Sequence, residues 1–284
     1  MSAGATPNQK LLDRLEASRD KDGSLAPLIL ELQSEQGQRD FAQAHGIYLP
    51  WVPALHLMER HAPGTFVRLA GLADPAVDQR SLFHRWIASV WTAKSLGLQS
   101  HVVDVELQRR CGAAMMLHAD AAAGHVIDRS GWRQARSALS DTMDSSLQGC
   151  AVGVVAAGCW DPDAIPNVFA DIFHAWSRVL HEEVRTQKGW EARANQEAQQ
   201  NEQSARHAAG LRAAGPMPEN QAPDWRDSDE GKTWVRRYKE AVIAFTTNPP
   251  DGMFQSQKAI ADAHRRLAIG LADNALSLMT GVGA

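Results

Sequence analysis

Two tetrapeptides, His101-Val-Val-Asp104 and His125-Val-Ile-Asp128, place an imidazole three residues ahead of a carboxylate, and His118 and Asp120 lie between them. On a helix that spacing puts ring and carboxylate on one face, where they can hold a divalent cation or form a histidine–carboxylate pair. On an extended strand the two point to opposite sides. One expectation is therefore a metal-dependent enzyme or metal-binding protein built on His101, Asp104, His118, His125 and Asp128. A structural role competes with it: Ser100 and Ser130 can each cap a helix, and an aspartate near a helix start favours the macrodipole.

Other chemistry-bearing spacings fall short of a motif. His181-Glu182-x-x-Arg185 has an arginine where a zinc-protease helix needs its second histidine. On that helix His174 and His181 fall together opposite the apolar arc, as exposed residues, while Glu183 falls inside the arc and is expected to reach solvent or a cation. His56-Leu-Met-Glu59-Arg-His61 sits in a proline-rich stretch, and His264 falls on an apolar stripe with Ile260, Leu267 and Leu271, where a packed, hydrogen-bonded imidazole is expected. Neither Gly-x-Ser-x-Gly nor a glycine-rich phosphate cradle occurs, and Ser18-x-x-Lys21 lies in a charged helix end. The sequence calls for no cofactor.

The paired cations Arg109-Arg110, Arg236-Arg237 and Arg265-Arg266 could touch phosphates, with Trp234 and Tyr238 available to stack. Residues 229–284 nevertheless hold seven Lys/Arg against six Asp/Glu, and the whole chain carries a net charge of -4. Neither gives the lopsided field that a nucleic-acid backbone or an anionic lipid surface selects. Trp234, Arg236, Arg237 and Tyr238 are instead candidates for contact with a protein partner.

Composition is that of a folded protein, with 44% apolar and 22% charged residues and nine Trp to bury. The first ten residues lack the pattern of a secretory signal, the apolar run Ala151–Trp160 is far shorter than the ~20 residues of a membrane span, and the three cysteines suit a reducing compartment. A cytoplasmic protein follows, and the Ala- and Arg-rich usage looks bacterial.

The elements that would position these residues read as helices, an all-α fold with a bundle-like main domain. Thr6-Pro7-x-Gln9 launches the first helix, which stops near Asp22-Gly23, and a second runs from Leu25 to about Ala44. Pro50, Pro53 and Pro63 predict an irregular connector around 51–61. The clearest helix begins at Asp74-Pro75 and carries Phe83, Trp86, Ile87, Val90 and Trp91 at helical spacing up to Gly97. Helices follow over 102–123 and 130–145. The glycine-rich run from Ala151 to Cys159 reads as buried helix or buried strand, with helix preferred.

A second central helix bears Phe169, Ile172, Phe173, Trp176, Val179 and Leu180, ending at Lys188-Gly189. The resulting organisation is a main helical domain over 1–189, a polar helix and linker over 190–228, and a C-terminal helical pair over 229–284 around Asn248-Pro-Pro-Asp-Gly252. Without a catalytic set, the leading expectation is a non-catalytic protein that binds another protein, as adaptor, regulator or neutralising partner. The metal-dependent reading and a nucleic-acid-binding regulator are the alternatives.

Overall fold

Five helix starts in this chain are set by a side chain, that of Ser34, Asp78, Asp104, Asp128 or Ser146, that accepts an otherwise unpaired backbone N–H. The computed structural model describes residues 7–21, 25–187, 192–217, 225–247 and 255–281. In order, the helices are α1 (Pro7–Ala17), α2 (Ala26–Glu31), α3 (Glu35–His45), α4 (Trp51–His61), α5 (Thr65–Arg68), α6 (Gln79–Thr92) and α7 (Val105–Ala122). They continue as α8 (Arg129–Ser140), α9 (Leu147–Gly158), α10 (Val168–Gln187), α11 (Ala192–Ala214), α12 (Asp229–Thr247) and α13 (Gln255–Thr280). Short 3-10 turns cover Ala70–Ala73, Leu98–His101 and Trp225–Asp227, and the described residues contain no strand. The fold is all-α. No described helix is long and apolar enough to cross a membrane.

Several boundaries differ from the sequence reading. The stretch after Leu25 is two helices, because Ser34 accepts the Gly37 N–H and restarts the chain as α3. Residues 51–61 form a largely buried helix, not a connector. Pro50 is its N-cap residue and Pro53 lies in its first turn, where a backbone N–H has no intrahelical partner to lose, and Pro63 lies just beyond its end. The start of α6 is set by Asp78, which accepts the Ser81 N–H, while Asp74 closes a turn on Ala76. The run from Ala151 lies in α9, buried throughout most of its length and capped by Ser146. Thr6, Asp22-Gly23, Lys188-Gly189, most of the 218–228 linker and Asn248-Pro-Pro-Asp-Gly252 lie outside the described residues.

The chain falls into two compact units, Met1–Glu183 with Ala263–Ala284, and Val184–Asp262. An aromatic column holds the first. Trp86 of α6 stacks on Trp51 of α4 at 4.7 Å and on Phe169 of α10 at 4.7 Å, while Phe83 meets Trp51 edge-on at 5.0 Å. The buried indole N–H groups are satisfied, Trp86 donating to the Leu271 carbonyl of α13 and Trp51 to the Gln79 carbonyl. Each ring thus contributes apolar burial without leaving a polar atom unpaired. In the second unit α11 packs on α12, and the Tyr238 ring of α12 lies against Gly210 of α11, where a Cβ would collide with it.

Trp86 is fully buried and touches three other helices. Trp86→Ala is expected to lower the unfolding free energy by about 3–5 kcal/mol, read from the urea midpoint. A change below about 1 kcal/mol would mean that the column is not the centre of the core.

Candidate functional site

The five residues that sequence spacing nominated as metal ligands are placed in five separate jobs. Asp104 caps α7, accepting the Leu107 N–H at 2.8 Å, and Asp128 caps α8, accepting the Gly131 N–H at 2.7 Å. The Gly131 N–H, with help from Ser130, holds the Asp128 carboxyl below its usual range. His101 Nε2 lies 2.9 Å from the Glu183 carboxylate, so the partner of Glu183 is an imidazole. His125 is exposed, 3.9 Å from the Asp120 carboxylate. His118 is buried on α7. Among the described residues, no group of three or more His, Cys, Asp or Glu side chains is arranged to hold a metal ion.

His118 meets a partner that spacing did not reveal. Its Nε2 lies 2.7 Å from the Gly158 carbonyl and its Nδ1 lies 3.0 Å from Nδ1 of His84, which is equally buried. Burial pushes the His118 pKa down to about 3 and lowers that of His84 as well. Both rings are therefore neutral near pH 7, and the tautomers follow. Nε2–H of His118 donates to the carbonyl, so its Nδ1 is bare and accepts Nδ1–H of His84. The remaining His84 Nε2 carries only a lone pair and has no hydrogen-bond partner. Trp132 of α8 lies against both rings, its centroid 4.7 Å from that of His118 and 6.5 Å from that of His84.

The outer side of this packing is a cleft of about 440 Å³. Trp132 and Trp160 form its aromatic walls, Ile165 and Ala164 add apolar surface, and Arg129, Arg133 and Arg136 enter from α8. Positions 129, 133 and 136 are four and three apart, so the three guanidinium groups share one stripe of the helix. Trp132 and Leu139 of the same helix face inward and are buried. The Arg136 guanidinium stacks 3.6 Å over the Trp160 ring, a cation–π contact that fixes its plane. No carboxylate of the described residues lies within ion-pair distance of any of the three arginines. Asp161, the one acidic lining residue, accepts the Asp163 N–H instead.

Comparison with protein-family models, with curated proteins and with solved structures finds no match. The chemistry of the site must then be read from its own atoms.

The other nominated residues are used differently. Trp234 stacks on Tyr238 at 5.2 Å and donates its indole N–H to the Gly215 carbonyl, and the Tyr238 hydroxyl lies 2.8 Å from His207 Nδ1. These two aromatics fasten α12 to α11, while Arg236 and Arg237 remain exposed. Arg109 and Arg110 both pair with the Glu106 carboxylate of their own helix. His264 Nε2 lies 2.9 Å from the Ser177 hydroxyl, which itself donates to the Phe173 carbonyl, so the imidazole is the donor in that contact. His181, expected beside exposed His174, is half-buried and rests near His264. Glu59 is also structural, its buried carboxylate accepting the N–H groups of Gly64 and Phe66.

A second cavity of about 460 Å³ lies over α9 beside Cys150, Arg178, His181 and Glu182. Burial raises the Cys150 thiol pKa and lowers that of His181, which leaves both neutral, and the lining then sets the Asp144 and Glu182 carboxylates against the single Arg178 guanidinium. The cleft over α8 is where like charge accumulates.

The neutral histidine pair makes the fold acid-sensitive. The unfolded chain takes up protons below pH ~6.5 that the folded pair refuses, so stability is complete above that pH and falls as pH drops towards about 3. The slope is up to about 1.4 kcal/mol per pH unit for each histidine so held, and His45, His56, His61 and His181, also lowered by burial, share in it. Urea midpoints at pH 7 and pH 5 should differ accordingly, and His118→Gln, which can still donate to Gly158, should flatten the dependence. A midpoint independent of pH would contradict the tautomer assignment.

Proposed function

We propose that this chain acts by binding, as a helical protein whose cleft over α8 receives an acidic segment of a partner protein. The observation that carries the reading is the set of three arginines without carboxylate partners, gathered with two tryptophans into one cleft of a chain whose net charge is -4. A guanidinium is a fixed charge with five N–H donors and no acceptor, which suits it to recognition more than to proton transfer. Arginine and tryptophan are also the side chains that dominate protein-binding hot spots, because each couples a large apolar face to a directed donor.

The cost of holding three like charges together is offset when a partner's carboxylates enter, so charge complementarity selects an acidic occupant and steers its approach. Apolar lining from Ile165 and Ala164 adds a place for an aliphatic side chain beside each acid. An adaptor, regulator or neutralising partner works in this way. A cytoplasmic setting, supported by three buried free thiols, goes with the reading.

A fluorescein-labelled nine-residue peptide alternating Glu with Leu supplies the test, with its Lys-for-Glu counterpart as control. The full chain should raise the anisotropy of the acidic peptide alone, and less so as salt is added. Arg129→Gln with Arg133→Gln removes two charge-assisted donors and should weaken binding roughly tenfold or more. Unchanged affinity in that double variant would refute the cleft as the binding site.

A further inference from the structure

We infer that the anion seated in the cleft is a phosphate monoester on a side chain of the partner, a phosphorylated serine or threonine, in preference to a carboxylate. This rests on the binding reading above and names the group that the cleft is shaped to take.

Charge balance comes first. Three guanidinium groups and the Asp161 carboxylate line the cavity, leaving a surplus of 3 − 1 = 2 positive charges. A carboxylate brings one negative charge, whereas a phosphate monoester brings about -1.5 to -2 at neutral pH together with three acceptor oxygens. The monoester cancels with one group a surplus that takes two separate carboxylates.

Donor geometry points the same way. Arg129, Arg133 and Arg136 leave α8 from three levels spanning eight residues, about 10 Å of helix axis, on one stripe. Donors arriving from separate levels can each meet a different oxygen of a tetrahedral group, while a planar carboxylate is filled by one bidentate fork. Arg136 is already oriented. Its stack on Trp160 occupies the face of the guanidinium plane and leaves the N–H groups at the plane's edge, so the ligand need not order that side chain.

Size then excludes the bare ion. The cavity measures about 440 Å³ and carries apolar wall from Trp132 and Ile165 beyond the arginines, which a free inorganic phosphate would leave untouched. A side chain on a peptide brings the oxygens to the arginines and carbon to those walls. A phosphodiester backbone carries a single charge per phosphate and leaves part of the surplus uncancelled.

The experiment uses the full chain and three labelled peptides that are identical except for a central Ser, Glu or phosphoserine, at one ionic strength. The phosphoserine peptide should bind about tenfold more tightly than the Glu peptide, with the Ser peptide weakest. Arg133→Gln, at an exposed position, should bring the phosphoserine and Glu peptides to parity while the urea midpoint stays unchanged. Inorganic phosphate should displace the phosphopeptide only at far higher concentration. Equal affinity for phosphoserine and Glu overturns this inference and leaves the acidic-segment reading intact, whereas no binding of any peptide overturns both. Displacement at the phosphopeptide's own concentration by inorganic phosphate, or by a single-stranded oligonucleotide, overturns it in favour of a free ion or a nucleic acid.

Discussion

Burying two imidazoles against one another leaves little freedom to everything packed round them. His84 and His118 can share a 3.0 Å contact only if one ring offers a hydrogen and the other a lone pair, and the Gly158 carbonyl decides which. That chain of bonds ties α6 to α7 and α7 to the end of α9, and the indole of Trp132 closes over it from α8. Four helices are thereby set in register by a network in which only one polar atom, His84 Nε2, lacks a partner. The same α6 sends Trp86 and Phe83 into the aromatic column, so one helix carries both the apolar centre of the first unit and the polar bracket beside it.

The cleft is the outer consequence of this arrangement. Trp132 has its inner face fixed by the two imidazoles, so the cleft's wall does not have to be organised by a ligand. Asp128 fixes where α8 begins, and the stripe of Arg129, Arg133 and Arg136 then follows from helix geometry alone. The opposite wall arrives from the segment after α9, where Trp160 meets the Arg136 guanidinium. Tyr48 and Arg80 bind the carboxylate of Asp163 a few residues further on, which anchors that segment to α6 and to the start of α4.

Much of this fold was legible in the residues. Bulky side chains at helical spacing marked the buried faces of α6 and α10, and every one of Phe83, Trp86, Phe169 and Trp176 is in the core. Caps were harder. The caps of α7 and α8 are Asp104 and Asp128 and not the nearby Ser100 and Ser130, which bond the Gly97 carbonyl and the Asp128 carboxylate, and the spacing of the two aspartates from His101 and His125 imitated a ligand pair. Prolines misled at α4, since a proline in a first helical turn costs no hydrogen bond and the sequence does not show which turn it occupies. The cleft was half legible: its arginine stripe is a local pattern within residues 129–136, but Trp160 belongs to it only through tertiary packing. The His84–His118 pair joins positions 34 residues apart on different helices, and no local spacing encodes it.

The central claim is that recognition belongs to the arginines of α8 and not to the exposed Arg236 and Arg237 of α12. The most direct measurement is the ¹H–¹⁵N correlation spectrum of the arginine side-chain Nε–H groups in the full chain, recorded as an acidic peptide is added. The account predicts that the signals of Arg129, Arg133 and Arg136 shift together and saturate while those of Arg236 and Arg237 stay in place. Shifts confined to Arg236 and Arg237, with the α8 signals unmoved, would contradict it.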